Sequence, residues 1–123
     1  MDTDDWRRGE VMAGREKLPG RRFTCRTRFE SAGIRFHADI GFYPDGRPGE
    51  VFLTAGKVGG SVETLCRDAA IVLSFALQYG ADWRAIRTAI CRDEAGAPLG
   101  PIGVLLDRLE YDLEALAKEE GHV

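Results

Sequence analysis

A chain of 123 residues, 44% hydrophobic and 30% charged, has the size and composition of one globular domain and is too short for two independent cores. A formal charge of −3 supplies no general attraction to nucleic acid or to an anionic membrane, so neither is expected as a partner. Its three widely spaced cysteines, Cys25, Cys66 and Cys91, contain no CxxC pair, which excludes a zinc ribbon or a thioredoxin-type dithiol.

Residues 1–20 mix acids, bases and small apolar clusters without a sustained period. Gly9, Gly14 and Pro19-Gly20 interrupt any helix there. This stretch reads as a loose arm, with a turn or two around Trp6 to Met12. It holds no apolar leader, and the longest apolar run, Ala69 to Leu77, falls far short of the roughly 20 residues of a membrane span. The expectation is a soluble cytoplasmic protein with free thiols.

From Arg21 the hydrophobic period becomes two. Phe23, Cys25, Thr27 and Phe29 alternate with Arg22, Thr24, Arg26 and Arg28, which predicts a half-buried strand with a basic outer face. After the turn Ser31-Ala32-Gly33, Ile34, Phe36, Ala38, Ile40 and Phe42 alternate with Arg35, His37, Asp39, Gly41 and Tyr43, a second strand hairpinned on the first. Pro44-Asp45-Gly46 and Pro48-Gly49 turn the chain into a third strand, Glu50 to Ala55, with Val51, Leu53 and Ala55 inward.

The one uncovered face of this meander needs a lid. Gly59-Gly60 lets the chain turn, Ser61 is the expected N-cap, and Leu65 to Leu77 form an apolar helix closed by Gly80 at C′. Ile71 and Phe75 extend its apolar surface around most of the circumference, so the helix is expected to be packed on several sides. Asp82 reads as the N-cap of a second helix, Trp83 to about Cys91. Pro101 reads as N1 of a third, whose apolar face is Ile102, Leu105, Leu106, Leu109, Leu113 and Leu116. The fold class is therefore α+β: a three-stranded antiparallel meander against a long buried helix, with two further helices C-terminal. The domain spans residues 21–118, and residues 119–123 form a frayed tail.

Chemistry is sparse. His37 and Asp39 share the outer face of the second strand, where cross-strand pairing is the expected role rather than acid–base work. Cys66 is the one candidate for a reactive thiol, because a helix N-terminus and the neighbouring Arg67 lower a thiol pKa; structural burial is the competing reading. Lys57, Gly59, Gly60 and Ser61, in a glycine loop before a helix, are candidate ligands for an anion, although the loop is neither a Walker A motif nor a dinucleotide fingerprint. A tight strand-to-helix connection is the alternative. Arg22, Arg26, Arg28 and Arg35 make a basic sheet face, either merely solvated or facing a phosphate-rich or acidic partner. Between Arg15 and Arg35 seven basic residues meet two acidic ones. Phe52 and Trp83 are interface anchors by residue type. No catalytic residue and no metal ligand is assigned.

RPGEVFL from Arg47, GKVG from Gly56, LCRDAAI from Leu65, ALQYG ending at Gly80 and RDEAGAPLGPIG from Arg92 together resemble the C-terminal TSCPD domain of adenosylcobalamin-dependent ribonucleotide reductases, over roughly Phe23 to Leu106. The TSCPD tetrad itself and the cysteine pair that would shuttle electrons are missing, so no catalytic residue carries over. What the resemblance implies is a stand-alone accessory or regulatory domain without catalysis of its own. It would act by binding a protein, either a ribonucleotide reductase large chain or a second copy of itself. Adenosylcobalamin belongs to the full-length reductases, and no cofactor is expected on this chain. The alternative is a small-ligand or nucleotide-binding module that uses the Gly56–Ser61 loop and the basic sheet face.

Overall fold

The structure, a computed structural model, describes residues 14–55 and 60–120. Strands β1 (Thr24–Ser31), β2 (Ile34–Phe42) and β3 (Pro48–Ala55) form one antiparallel sheet in the order β1-β2-β3. Helices α1 (Ser61–Gln78), α2 (Trp83–Ala89) and α3 (Pro101–Glu120) follow. The α+β meander read from the sequence is the observed architecture.

The β1–β2 turn has two residues, Ala32 at φ 51° and Gly33 at φ 77°, between the paired Ser31 and Ile34. Two consecutive positive φ values are the mark of a type I′ turn, whose twist matches that of the strands it joins. The register that follows sets Phe29 opposite Phe36 and Thr27 opposite Ala38, while β3 sets Leu53 opposite Ala38 and Val51 opposite Ile40. Alternation then sends Phe36, Ala38, Ile40, Val51, Leu53 and Ala55 to one face, where all are buried. Against them pack Cys66, Ala70, Leu73 and Leu77 of α1 and Leu105, Leu106 and Leu109 of α3. Tyr43, expected on the outer side, is buried because its ring packs over Gly49: a Cβ at position 49 would lie 2.5 Å from that ring.

α1 departs from expectation in two ways. Its N-cap is Gly60, in extended conformation and without a side-chain cap bond, not Ser61, which is the first helical residue. Among the described residues it also buries a single face; Leu65, Ile71, Val72 and Phe75, read as part of its many-sided packing, are exposed. The helix ends as expected. Gly80 takes φ 96°, and Gly80 and Ala81 donate to the carbonyls of Leu77 and Ala76, the paired bonds of a Schellman motif. Asp82 accepts from the Arg84 amide at 3.0 Å and caps α2, which stops at Ala89, so Cys91 is outside any helix. Trp83 is buried in the core and offers no anchor to a partner.

Two polar contacts, one buried and one part-buried, join α1 to the edge of β3, where no fourth strand pairs among the described residues. Ser74 Oγ accepts from the Val51 amide at 2.8 Å, with the carbonyls of Ala70 and Val51 in reach of its proton. Gln78 Nε2 donates to the Gly49 carbonyl at 2.9 Å, and its Oε1 accepts from Arg15. The last part of the arm is held at the same place. The Glu16 amide donates to the Gln78 carbonyl at 2.9 Å, Tyr43 donates its hydroxyl to the Glu16 carbonyl, and the Arg47 guanidinium reaches the Glu16 carboxylate at 2.8 Å. Arg15 and Glu16 are thus anchored at this edge; the turn expected around Trp6 to Met12 lies outside the described residues. At the other end α3 continues to Glu120, two residues into the stretch read as a frayed tail.

A second clamp joins α2 and the following loop to α3. Asp107 accepts from Arg87 Nε at 2.8 Å and from both terminal nitrogens of Arg92 at 2.9 and 2.7 Å. Arg92 also bonds the carbonyls of Arg87 and Gly96. The hydrogen bond from Arg92 holds the Asp107 carboxyl below its usual range, with burial opposing and Arg87 adding to the effect. Gly103 of α3 brings the same loop close, since a Cβ there would lie 2.6 Å from Pro98 and 2.7 Å from Ile90.

Gln78→Leu leaves the Gly49 carbonyl buried without a donor and should cost about 1–3 kcal/mol in urea unfolding. A change within experimental error would show that this edge contact carries no stability. Asp107→Asn should cost a comparable amount, about 1–3 kcal/mol, at pH 7. Because the folded carboxyl has the depressed pKa, its stabilisation is complete above the unfolded value of about 4 and fades as pH falls through the folded value. The gap between wild type and Asp107→Asn should therefore narrow below pH ~4. A gap unchanged at the lowest pH that permits folding contradicts this account.

Candidate functional site

Of the candidate anion loop, Lys57 and Gly59 lie outside the described residues. Gly60 and Ser61 are exposed at the start of α1, beside a groove of about 600 Å³ that Gly33, Arg35, Ala55 and Glu63 also line. Glu63 in the first turn suits the helix dipole but adds negative charge where an anion would sit. Its carboxylate lies 3.7 Å from Arg67, one turn on.

The arginines of the outer sheet face are largely matched by carboxylates. Arg26 meets Asp39, its cross-strand partner, at 2.9 Å; Arg35 meets Glu30 at 3.6 Å; Arg22 meets Glu50 at 2.6 Å. Among the described residues the Arg28 guanidinium has no such partner and stands opposite His37 in the register. The face is a ladder of ion pairs with one spare cation. Because Asp39 is engaged by Arg26, it does not orient His37, which is exposed on an open sheet. Phe52 stands exposed on this same face.

The cysteines sort differently from expectation. Cys66, 8% exposed, is in the core, and burial pushes its thiol pKa up, the direction opposite to that expected from the helix N-terminus. Cys25 is exposed, although its strand phase points it inward, because α3 leaves a groove of about 670 Å³ beside β1. Partial burial and the Asp112 carboxylate raise its pKa. Cys91 is exposed in the loop after α2.

Two features escaped the sequence reading. One is that groove, walled by Phe23, Ile40, Phe42, Leu105, Leu109 and Leu113. The other is the outward face of α1, where Leu65 is 67% and Val72 68% exposed, with Val62 and Tyr79 at the two ends. The signal for the second was present in the spacing, since apolar residues at positions 62, 65, 69, 72, 76 and 79 form a stripe distinct from the core stripe. With no charge on either stripe, the sequence assigned both to one core.

This geometry belongs to a chain with known relatives over part of its length. A vitamin B12-dependent ribonucleotide reductase of Rhodopirellula baltica is 41% identical over 66 residues, which are 54% of this chain and 6% of that protein. More than half of the chain is thus a ribonucleotide-reductase-related region. Vitamin B12-dependent ribonucleotide reductases of Bradyrhizobium diazoefficiens and Agrobacterium fabrum are 37% and 36% identical over 70 residues, 57% of this chain and again 6% of each reductase. The chain spans only that small part of the proteins it matches. No family model and no solved structure matches it.

Native thiol titration checks the placement of the cysteines. Cys91 should react promptly with a disulfide reagent, Cys25 should follow more slowly because its pKa is raised, and Cys66 should react only on unfolding, slower by about 100-fold or more, since local opening must precede attack on a buried group. Three equally fast thiols would contradict the burial of Cys66.

Proposed function

We propose that this chain is a TSCPD-like accessory or regulatory domain related to ribonucleotide reductase, working by protein–protein binding in the cytoplasm without catalysis of its own. The observation that carries the reading is the exposed apolar face of α1, on a helix that begins within the stretch resembling the reductases. Large apolar side chains grouped on one face mark an interaction surface, whereas single exposed ones do not. Val62, Leu65, Val72 and Tyr79 are such a group. The partner is a reductase large chain or a second copy of this chain. Three free cysteines fit a reducing compartment. A phosphate ligand at the Gly56–Ser61 loop is the weaker reading, because Glu63 sets a carboxylate beside Gly60 and Ser61.

The test is the solution mass of the purified chain, alone and with a vitamin B12-dependent ribonucleotide reductase, for wild type and Val72→Glu. Wild type should form a complex in at least one of the two samples, and Val72→Glu should weaken it tenfold or more. A wild-type chain that remains single in both samples at 100 µM overturns the proposal.

A further inference from the structure

The occupant of the α1 face can be read from the face itself. One stripe of the helix, Cys66, Ala70, Leu73 and Leu77, is spent on the core. A second stripe runs Val62, Leu65, Ala69, Val72, Ala76 and Tyr79, in steps of three, four, three, four and three. That alternation is the seam of a helix paired with another helix, averaging 3.5 residues per turn. The stripe carries no charge. Val62, Leu65, Ala69, Val72 and Tyr79 are exposed and Ala76 is half-buried.

The stripe is also symmetric about its own centre, between Ala70 and Ile71. Reversing it exchanges Val62 with Tyr79, Leu65 with Ala76, and Ala69 with Val72. A second copy laid antiparallel therefore sets a large side chain against a small one in the Leu65–Ala76 and Ala69–Val72 layers. A parallel copy would set alanine on alanine at 69 and 76 and leave gaps between the larger layers. Close-packed helices lie about 8–10 Å apart, and the alanines permit the short end of that range. The antiparallel pair also sets the positive N-terminal end of each α1 beside the negative C-terminal end of the other. A two-fold contact of this kind is isologous, with one patch serving both copies.

We propose that α1 is a self-association surface on which two copies of this chain pair antiparallel through the stripe from Val62 to Tyr79. This rests on the reading of α1 as a protein-binding face and names its partner. The shared helix face is only about 27 Å long, 18 residues at 1.5 Å each. A contact that short belongs with small, transient interfaces, so the pair forms in the micromolar range.

Sedimentation of the full chain from 5 to 500 µM should show the mass rising from 13.6 kDa towards twice that value. Val72→Glu should raise the dissociation constant at least tenfold while leaving the melting temperature unchanged, because the side chain it replaces is 68% exposed. Cysteine cross-linking reads the direction, with wild type as the control for the native thiols. Under mild oxidation Leu65→Cys with Ala76→Cys should link two chains. Leu65→Cys alone should not, since its two copies would stand about 16 Å apart along the antiparallel pair. A wild-type mass that stays at the monomer value to 500 µM, or self-linking by Leu65→Cys alone, overturns the proposal. A monomer that still binds the reductase and loses it in Val72→Glu overturns this inference alone; a monomer that never binds overturns the broader reading as well.

Discussion

The structure depends on how the free edge of β3 is closed. A sheet of three strands leaves each outer strand with unpaired backbone groups, and exposed edges invite unwanted pairing. Here the Val51 amide and Gly49 carbonyl are met by Ser74 and Gln78, two polar side chains on a helix that is otherwise apolar in its second half. Their place one turn apart, on the flank of the Ala70–Leu73–Leu77 stripe, fixes both the rotation of α1 and its height along the strand. The core contacts follow from that placement. So does the binding of the arm, because Gln78 offers its carbonyl to Glu16 and its side-chain oxygen to Arg15.

Fixing the rotation of α1 by these two residues leaves its far side bare among the described residues. Apolar content over most of a circumference ordinarily means burial on all sides. In this small domain α3 and the segment after α2 cover only one flank, and too few residues remain in the described chain to cover the rest. The outward stripe is therefore a property of the domain's size as much as of the helix's sequence. The charged outer face of the sheet behaves differently: Arg26, Arg35 and Arg22 are met by Asp39, Glu30 and Glu50, and Arg28 alone of these arginines is left over among the described residues.

The elements were legible wherever one physical signal acted alone. Strict alternation placed the inward residues of β2 from Phe36 to Phe42, failing only past the strand's end at Tyr43, and Gly80 and Asp82 marked helix ends because a positive φ and a side-chain acceptor serve there. What stayed hidden required two signals to be separated. The two stripes of α1 overlap in composition, and only the partition by position shows that Leu73 is core while Val72 faces out. Cys25 has the phase of a buried residue, but its burial depends on how far α3 reaches over β1, which periodicity does not encode. Trp83 showed the reverse, a residue type common at interfaces that completes the core. For the cysteine in α1, helix position and burial act in opposite directions on the thiol, and burial prevails.

The two-residue turn at Ala32 and Gly33 has a consequence for how the chain tolerates change in length. Strand faces alternate with a parity of two, so one residue inserted between Ser31 and Ile34 would shift β1 out of phase unless the hairpin absorbed it as a bulge. Arg26 and Arg28 would then point at Leu105 and Leu109, while Phe29 would turn outward. The hairpin is thus a part of this domain where a single-residue insertion is poorly admissible.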